Sequence, residues 1–147
     1  MFVYEKDGET SGPAKISNYI YFTRLGEDIL KAIGGMTDEG CCYRVDMRLR
    51  PEGMSGPLVR SLHDYEAYYE AFGETWERLA LLKARPVAGD LVLGSLFLKL
   101  VEPFVYRRHL DCSTMTEIRR LKQRTEKEGS SLSRMHLKLG AGGIREV

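Results

Sequence analysis

The run Tyr43-Arg44-Val45-Asp46-Met47-Arg48-Leu49-Arg50 alternates apolar and charged residues without a break, and Pro51-Glu52-Gly53 closes it. A period of two belongs to a β-strand with one face toward a core and the other outward. The pattern predicts a strand over 43–50, with Asp46 and three arginines sharing one face, ended by a turn. Pro57-Leu58-Val59 is expected to return as a short second strand, and Met1 to Tyr4 reads as the last residues of another. A strand that starts at an initiator methionine has no lead-in, so a missing upstream segment is expected.

The rest of the pattern is helical. From Ser17, residues Phe22, Leu25, Ile29 and Ile33 recur at helical spacing up to Gly34-Gly35, which predicts a helix with one buried face. Ser61 followed by Asp64 has the spacing of a helix cap. Behind it Tyr65, Tyr68, Tyr69, Phe72, Trp76, Leu79 and Ala80 keep a 3.6-residue period nearly to Lys83, weakened at Gly73. Asp64, Glu66, Glu70, Glu74 and Glu77 are assigned to the opposite, solvated face. Gly89-Asp90 restarts the chain into an apolar helix, Leu91 to Leu100. Met115, Ile118 and Leu121 mark a last helix expected to stop near Gly129.

With 147 residues, 43% hydrophobic and 29% charged, the chain has the length and apolar share of one globular domain. Its net charge of +1 supplies no global field for nucleic acid or an anionic membrane. The longest apolar run, Leu91 to Val101, carries Lys99 and falls short of a membrane span. The N-terminus lacks the basic and apolar regions of a secretion signal. Three cysteines, two of them adjacent at Cys41-Cys42, offer neither a disulfide framework nor zinc spacing, so reduced thiols in a cytoplasmic protein are expected.

Asp46 among arginines carries the most chemistry. A carboxylate on a rigid strand suits a hard cation such as Mg²⁺, and arginines beside it fork onto phosphate, which points toward phosphoryl or nucleotidyl transfer. A solvated strand face with local ion pairs explains the same residues. Lys83 and Arg85 either serve a site or complement the dipole of a helix C-terminus. Trp76 and the tyrosines read as core, and His63, His109 and His136 are too dispersed for a ligand set. Gly140 to Gly143 can present backbone N–H groups to an anion, but without Walker or dinucleotide spacing. Residues 107–147 carry ten Lys/Arg against five Asp/Glu, and residues 64–77 carry five acids and no Lys/Arg.

Read in order, the segments closely resemble the bifunctional glutamine synthetase adenylyltransferase/adenylyl-removing enzymes of bacteria. The resemblance rests on Phe2-Val3-Tyr4 and Gly8-Glu9-Thr10, then Tyr43 to Gly53, Ser55-Gly56-Pro57-Leu58-Val59 and Tyr68-Tyr69. It continues through Thr75-Trp76-Glu77-Arg78, Lys83 to Asp90, Glu102 to Arg108 and Lys138 to Glu146. It implies an α+β fold: part of a polymerase-beta-like nucleotidyltransferase domain over 1–100, a truncated mixed sheet built around 43–50 with helices. The start of a helical companion domain follows over 101–147. The wording Gly53-x-Ser55-Gly56-Pro57 and Lys138 to Glu146 looks like the adenylyl-removing half, which is implied to use phosphate to strip AMP from a tyrosine of glutamine synthetase, releasing ADP.

By the same resemblance Asp46 stands where the third metal-binding carboxylate belongs. Arg48 and Arg50 are phosphate-binding or strand-anchoring contacts, and Lys83 and Arg85 contribute to the nucleotide site. The implied cofactor is Mg²⁺, and the implied partners are glutamine synthetase, the PII signal protein, ATP or ADP, and phosphate. The family's Gly-Ser and Asp-x-Asp motifs would fall before Phe2, so the chain is expected to be an internal fragment without activity of its own, with an unpaired sheet edge. A non-catalytic module that binds glutamine synthetase or PII is the alternative. A nucleic-acid binder using residues 107–147 ranks below both, because acids interrupt the basic residues.

Overall fold

Val59 and Tyr4, each followed by a charged residue and each almost fully buried, anchor the sheet. In the computed structural model, which describes residues 1–107 and 112–132, strand β1 (Phe2–Tyr4) pairs in parallel with β2 (Val59–Ser61). The register sets Phe2 against Val59, Val3 against Arg60 and Tyr4 against Ser61. Tyr4, Val59 and Ser61 are buried. The long parallel connection carries helix α1 (Asn18–Gly34), capped by the Ser17 hydroxyl, which accepts the Ile20 N–H at 3.3 Å. Gly26 lets α1 settle on the sheet: a Cβ there would lie 3.3–3.4 Å from Phe2, Leu58 and Val59.

Helix α2 (Leu62–Ala71) starts at the expected Ser61 cap, whose hydroxyl accepts the Asp64 N–H at 3.2 Å. Helix α3 (Thr75–Leu81) follows, then α4 (Leu91–Val105), capped by Asp90, whose carboxylate accepts the Val92 and Leu93 N–H groups. Tyr65, Tyr68 and Tyr69 of α2, Leu81 of α3, and Phe97, Val101, Phe104 and Val105 of α4 make one buried cluster. The chain divides into two compact units, Met1–Tyr106 and Arg107–Val147. The second contains α5 (Cys112–Leu132), which half-buries Thr114, Ile118 and Leu121 along one face.

The class is α+β, with five helices and a two-stranded parallel sheet among the described residues. Several expectations need correction. Residues 43–50 form no strand, so no mixed sheet is built on them. Tyr43 and Leu49, the supposed inward residues, are 73% and 55% exposed. With no neighbouring strand to complete a ladder, side chains take over the backbone's hydrogen bonds. Asp46 accepts the Arg48 N–H at 3.0 Å, and Arg50 donates to the carbonyls of Met47, Met54 and Gly56. The returning strand lies at 59–61, two residues later than predicted.

The tyrosine-rich helix is two helices. Its period breaks at Phe72-Gly73-Glu74, and the new helix starts in a different phase. Phe72 is 73% exposed, whereas Glu77, assigned to solvent, is 2% exposed. Helix α1 does not bury a closed face: Leu25 and Ile33 are exposed, and Phe22 and Ile29 only half-buried. Helix α4 runs past Leu100 through Pro103 to Val105, and α5 runs three residues beyond Gly129. His109, His136 and the Lys138–Glu146 segment with its glycine turn lie outside the described residues.

Candidate functional site

The open apolar face of α1 is one wall of a cleft of about 770 Å³. Phe22, Leu25 and Ile29 of α1 face Leu93 and Phe97 of α4 across it, with Phe2 and Tyr4 of β1 lining its floor. The loop 83–90 and the 46–49 segment complete the rim. A mostly apolar concavity with a few charged groups at its edge is the usual form of a small-molecule site.

Those charged groups include three of the five site residues read from the sequence. Asp46, Lys83 and Arg85 line the cleft together with Glu5 and Asp90. They come from segments about 40 residues apart, so the fold brings them together. Arg48 and Arg50 do not line it. Arg48 instead clasps Asp46: its Nε lies 2.9 and 3.1 Å from the two carboxylate oxygens, and its Nη2 lies 2.6 Å from Oδ2. These side-chain hydrogen bonds, with the Arg48 backbone N–H, hold the Asp46 carboxyl well below the usual carboxylate range. The same contacts hold the Arg48 guanidinium charged.

Arg50 is turned into its own loop. Its Nε and Nη2 donate to the Gly56 carbonyl at 3.2 and 3.0 Å, its Nη1 to Met47 O at 2.6 Å and its Nη2 to Met54 O at 3.2 Å. The guanidinium thus serves as the post around which residues 47–56 wrap.

Mg²⁺ takes about six oxygen ligands in octahedral array. Among the described residues no group of three or more His, Cys, Asp or Glu side chains is placed to hold a metal ion. Asp46, with both oxygens engaged by Arg48, does not by itself fit a Mg²⁺ site. The cleft presents the side chains of three carboxylates and two cations over an apolar floor; of the carboxylates, Asp46 is clasped by Arg48 and Asp90 caps α4.

Behind the Asp46 loop lies a polar network that the sequence reading missed. The buried Glu77 carboxylate accepts the Tyr68 hydroxyl at 2.9 Å, the Glu52 N–H at 3.3 Å and the Glu74 N–H at 3.1 Å. Burial raises its pKa, and those three donors oppose the rise. Burial, then the bond to Glu77, pushes the Tyr68 phenol up to about 12. Arg60 pairs with Glu52 at 2.6 Å and lies 5.1 Å over the Tyr68 ring. The one sequence signal for this network is the three-residue spacing of Glu74 and Glu77 after Gly73, the spacing of a capping box at a new helix start.

Comparison with known proteins gives this arrangement a context. The family model for glutamate-ammonia ligase adenylyltransferase matches residues 1–100. The whole chain is 46% identical to the bifunctional glutamine synthetase adenylyltransferase/adenylyl-removing enzyme of Pseudomonas syringae pv. tomato and 47% identical to that of Pseudomonas aeruginosa. The enzyme of the same name from Vibrio parahaemolyticus is 45% identical. The chain covers 15% of the two Pseudomonas proteins and 16% of the Vibrio protein. This chain belongs to the glutamate-ammonia ligase adenylyltransferase family, and it spans about 15% of the length of the curated relatives it matches.

Proposed function

We propose that the chain is the part of a glutamine synthetase adenylyl-removing unit that presents Asp46, Lys83 and Arg85 to a nucleotide. The observation that carries this reading is their convergence on one apolar-floored cleft. Residues 1–100 then belong to a polymerase-beta-like nucleotidyltransferase domain, and residues 101–147 begin its helical companion.

In the reaction proposed, an oxygen of inorganic phosphate attacks the phosphorus of AMP esterified to a glutamine synthetase tyrosine. The new P–O bond makes ADP, the tyrosyl P–O bond breaks, and the phenolate takes up a proton. Lys83 and Arg85 offset the negative charge of the phosphates, Lys83 as a point charge and Arg85 as a planar fork. The apolar floor receives the adenosine portion. Arg48 releases Asp46 to the reacting end as phosphate takes its place, and Arg50 keeps the loop in shape. Asp46 alone does not make a divalent-cation centre, so a Mg²⁺ site in the intact enzyme would need Asp46 freed from Arg48 and further ligands beyond the described residues, and would supply charge neutralisation at the phosphates. Glutamine synthetase is the protein substrate, PII and ATP act on the intact enzyme, and the setting is the cytoplasm.

The test has two arms. Incubating this chain with adenylylated glutamine synthetase, phosphate and Mg²⁺ is expected to yield no ADP, because among the described residues no carboxylates are grouped to hold a metal ion. Asp46→Asn in a full-length family enzyme carrying this segment is expected to abolish phosphorolysis. ADP release by the isolated chain, or phosphorolysis surviving Asp46→Asn, overturns the assignment. A non-catalytic binding module is the second reading, favoured by the Arg48 clasp on both Asp46 oxygens. It predicts that the chain binds glutamine synthetase or PII equally well with Asp46→Asn.

A further inference from the structure

Six residues past Asp46 the chain makes a turn that an ordinary sequence avoids. Glu52 has φ +60° and Gly53 φ +59°, two consecutive residues in the left-handed region. Glycine adopts it freely, but a glutamate meets its own Cβ there and stays only where its surroundings hold it.

Two contacts reach Glu52 from elsewhere in the fold. Its N–H donates to Glu77 Oε1, a carboxylate 25 residues away in α3, and its side chain pairs with Arg60 of β2 at 2.6 Å. Tyr68 of α2 closes the circuit, donating its hydroxyl to the same Glu77 oxygen while its ring lies under Arg60. Inside the loop, Pro51 is fully buried and a Cβ on Gly56 would fall 2.1 Å from the Pro51 carbonyl, so the segment closes on itself without slack. Glu77 divides its oxygens: Oε2 serves the start of its own helix through the Glu74 N–H, and Oε1 serves the loop. A helix cap has no need of a carboxylate buried to 2% exposure with its second oxygen turned to another segment.

We propose that Glu77 is a positioning residue: by holding the left-handed turn at Glu52-Gly53, it fixes where the Asp46 segment meets the cleft. The inference rests on the reading of Asp46 as part of a nucleotide site, but the clamp itself is tested separately.

The test is amide hydrogen exchange by NMR on the full chain, with Glu77→Met, which fills the same space without an acceptor, and Glu77→Gln, which keeps one oxygen for Tyr68 and Glu52. In Glu77→Met, exchange at Glu52, Gly53 and Ser55 is expected to rise at least roughly tenfold, with Phe97 and Val101 of α4 within about twofold of the parent. Glu77→Gln is expected to keep the turn protected and loosen only the Glu74 amide. If Glu77→Met does not fold, Glu77→Asp, which keeps the charge but shortens its reach, is expected to show the same local rise. An unchanged turn, or an equal rise at Phe97 and Val101, overturns the clamp.

Titration with ADP supplies the readout that ordinary core packing would not move. In the parent, ADP is expected to shift amides of both 45–48 and 83–90. In Glu77→Met the 83–90 shifts persist and the 45–48 shifts disappear; if the 45–48 shifts persist, Glu77 does not position Asp46. If ADP shifts neither segment in the parent, the nucleotide-site reading fails, and the exchange data still decide the clamp.

Discussion

Arg78 donates from Nε to the carbonyl of Phe104 at 3.0 Å and lies 5.1 Å over the Phe104 ring, joining α3 to the end of α4. The last carbonyls of a helix have no acceptor role left within it, so a buried cation there both satisfies one and complements the helix dipole. Glu77 and Arg78 are thus adjacent residues facing opposite neighbours: one holds the Asp46 loop, the other the last turn of α4.

A charge-assisted hydrogen bond is worth about 1.5–3 kcal/mol and a desolvated cation–π contact about 0.5–2 kcal/mol. Arg78→Met is therefore expected to lower stability by about 3 kcal/mol. Arg78→Lys, which keeps the charge but loses the fixed Nε–H geometry, is expected to lower it by about 1–2 kcal/mol. Urea midpoints of the three proteins check both; equal stability of Arg78→Met and the parent would show that the contact contributes nothing.

Gly73 fixes the break between α2 and α3. A Cβ there would stand 2.5 and 2.8 Å from the Phe104 ring and 3.0 Å from Tyr69. Replacing glycine by alanine restricts the unfolded chain and by itself stabilises by about 0.4–1 kcal/mol. Overpacking a core costs about 1–3 kcal/mol, and it wins here because Phe104 and Tyr69 are buried and have nowhere to move. Gly73→Ala is expected to destabilise the chain by about 1–2 kcal/mol. Gly12→Ala, whose Cβ would meet nothing within 4 Å, is the control and is expected to be neutral or slightly stabilising.

Three helix starts were readable because each depends on one residue and its immediate neighbours. Ser17, Ser61 and Asp90 cap α1, α2 and α4 through bonds to N–H groups two or three positions on. The 43–50 segment was misread because alternation specifies a strand only when another strand is there to pair with it, and none is placed beside it among the described residues. Glu77 was misplaced for a related reason. One non-helical interval at Phe72-Gly73-Glu74 turned the following residues by an angle that no count from Tyr65 could supply. For the site, Asp46, Lys83 and Arg85 stood out as charged residues in punctuated segments, and the fold gathers them. The inward turn of Arg50 depends on three carbonyls within six residues, which a pattern of side-chain types does not encode.

Glu77 also makes stability depend on pH in a direction its hydrogen bonds alone would not suggest. Burial raises its folded-state pKa above the ordinary carboxylate value. The folded chain therefore binds the Glu77 proton more tightly than the unfolded chain does. The stability this contributes is fully present below the ordinary carboxylate range and is lost as pH rises through the raised pKa. Tyr68 and Tyr69 of α2, Glu52 with its Arg60 partner, and Glu74 at the start of α3 surround the group, and Glu74 adds to the rise. Glu77→Gln removes this titration. The stability difference between the parent and Glu77→Gln, measured by urea unfolding from pH 7 down to about pH 4.5, is expected to shift in favour of the parent as pH falls. A difference that stays constant, or that moves toward Glu77→Gln on acidification, would mean that the three donors outweigh burial and that the pKa of Glu77 is not raised.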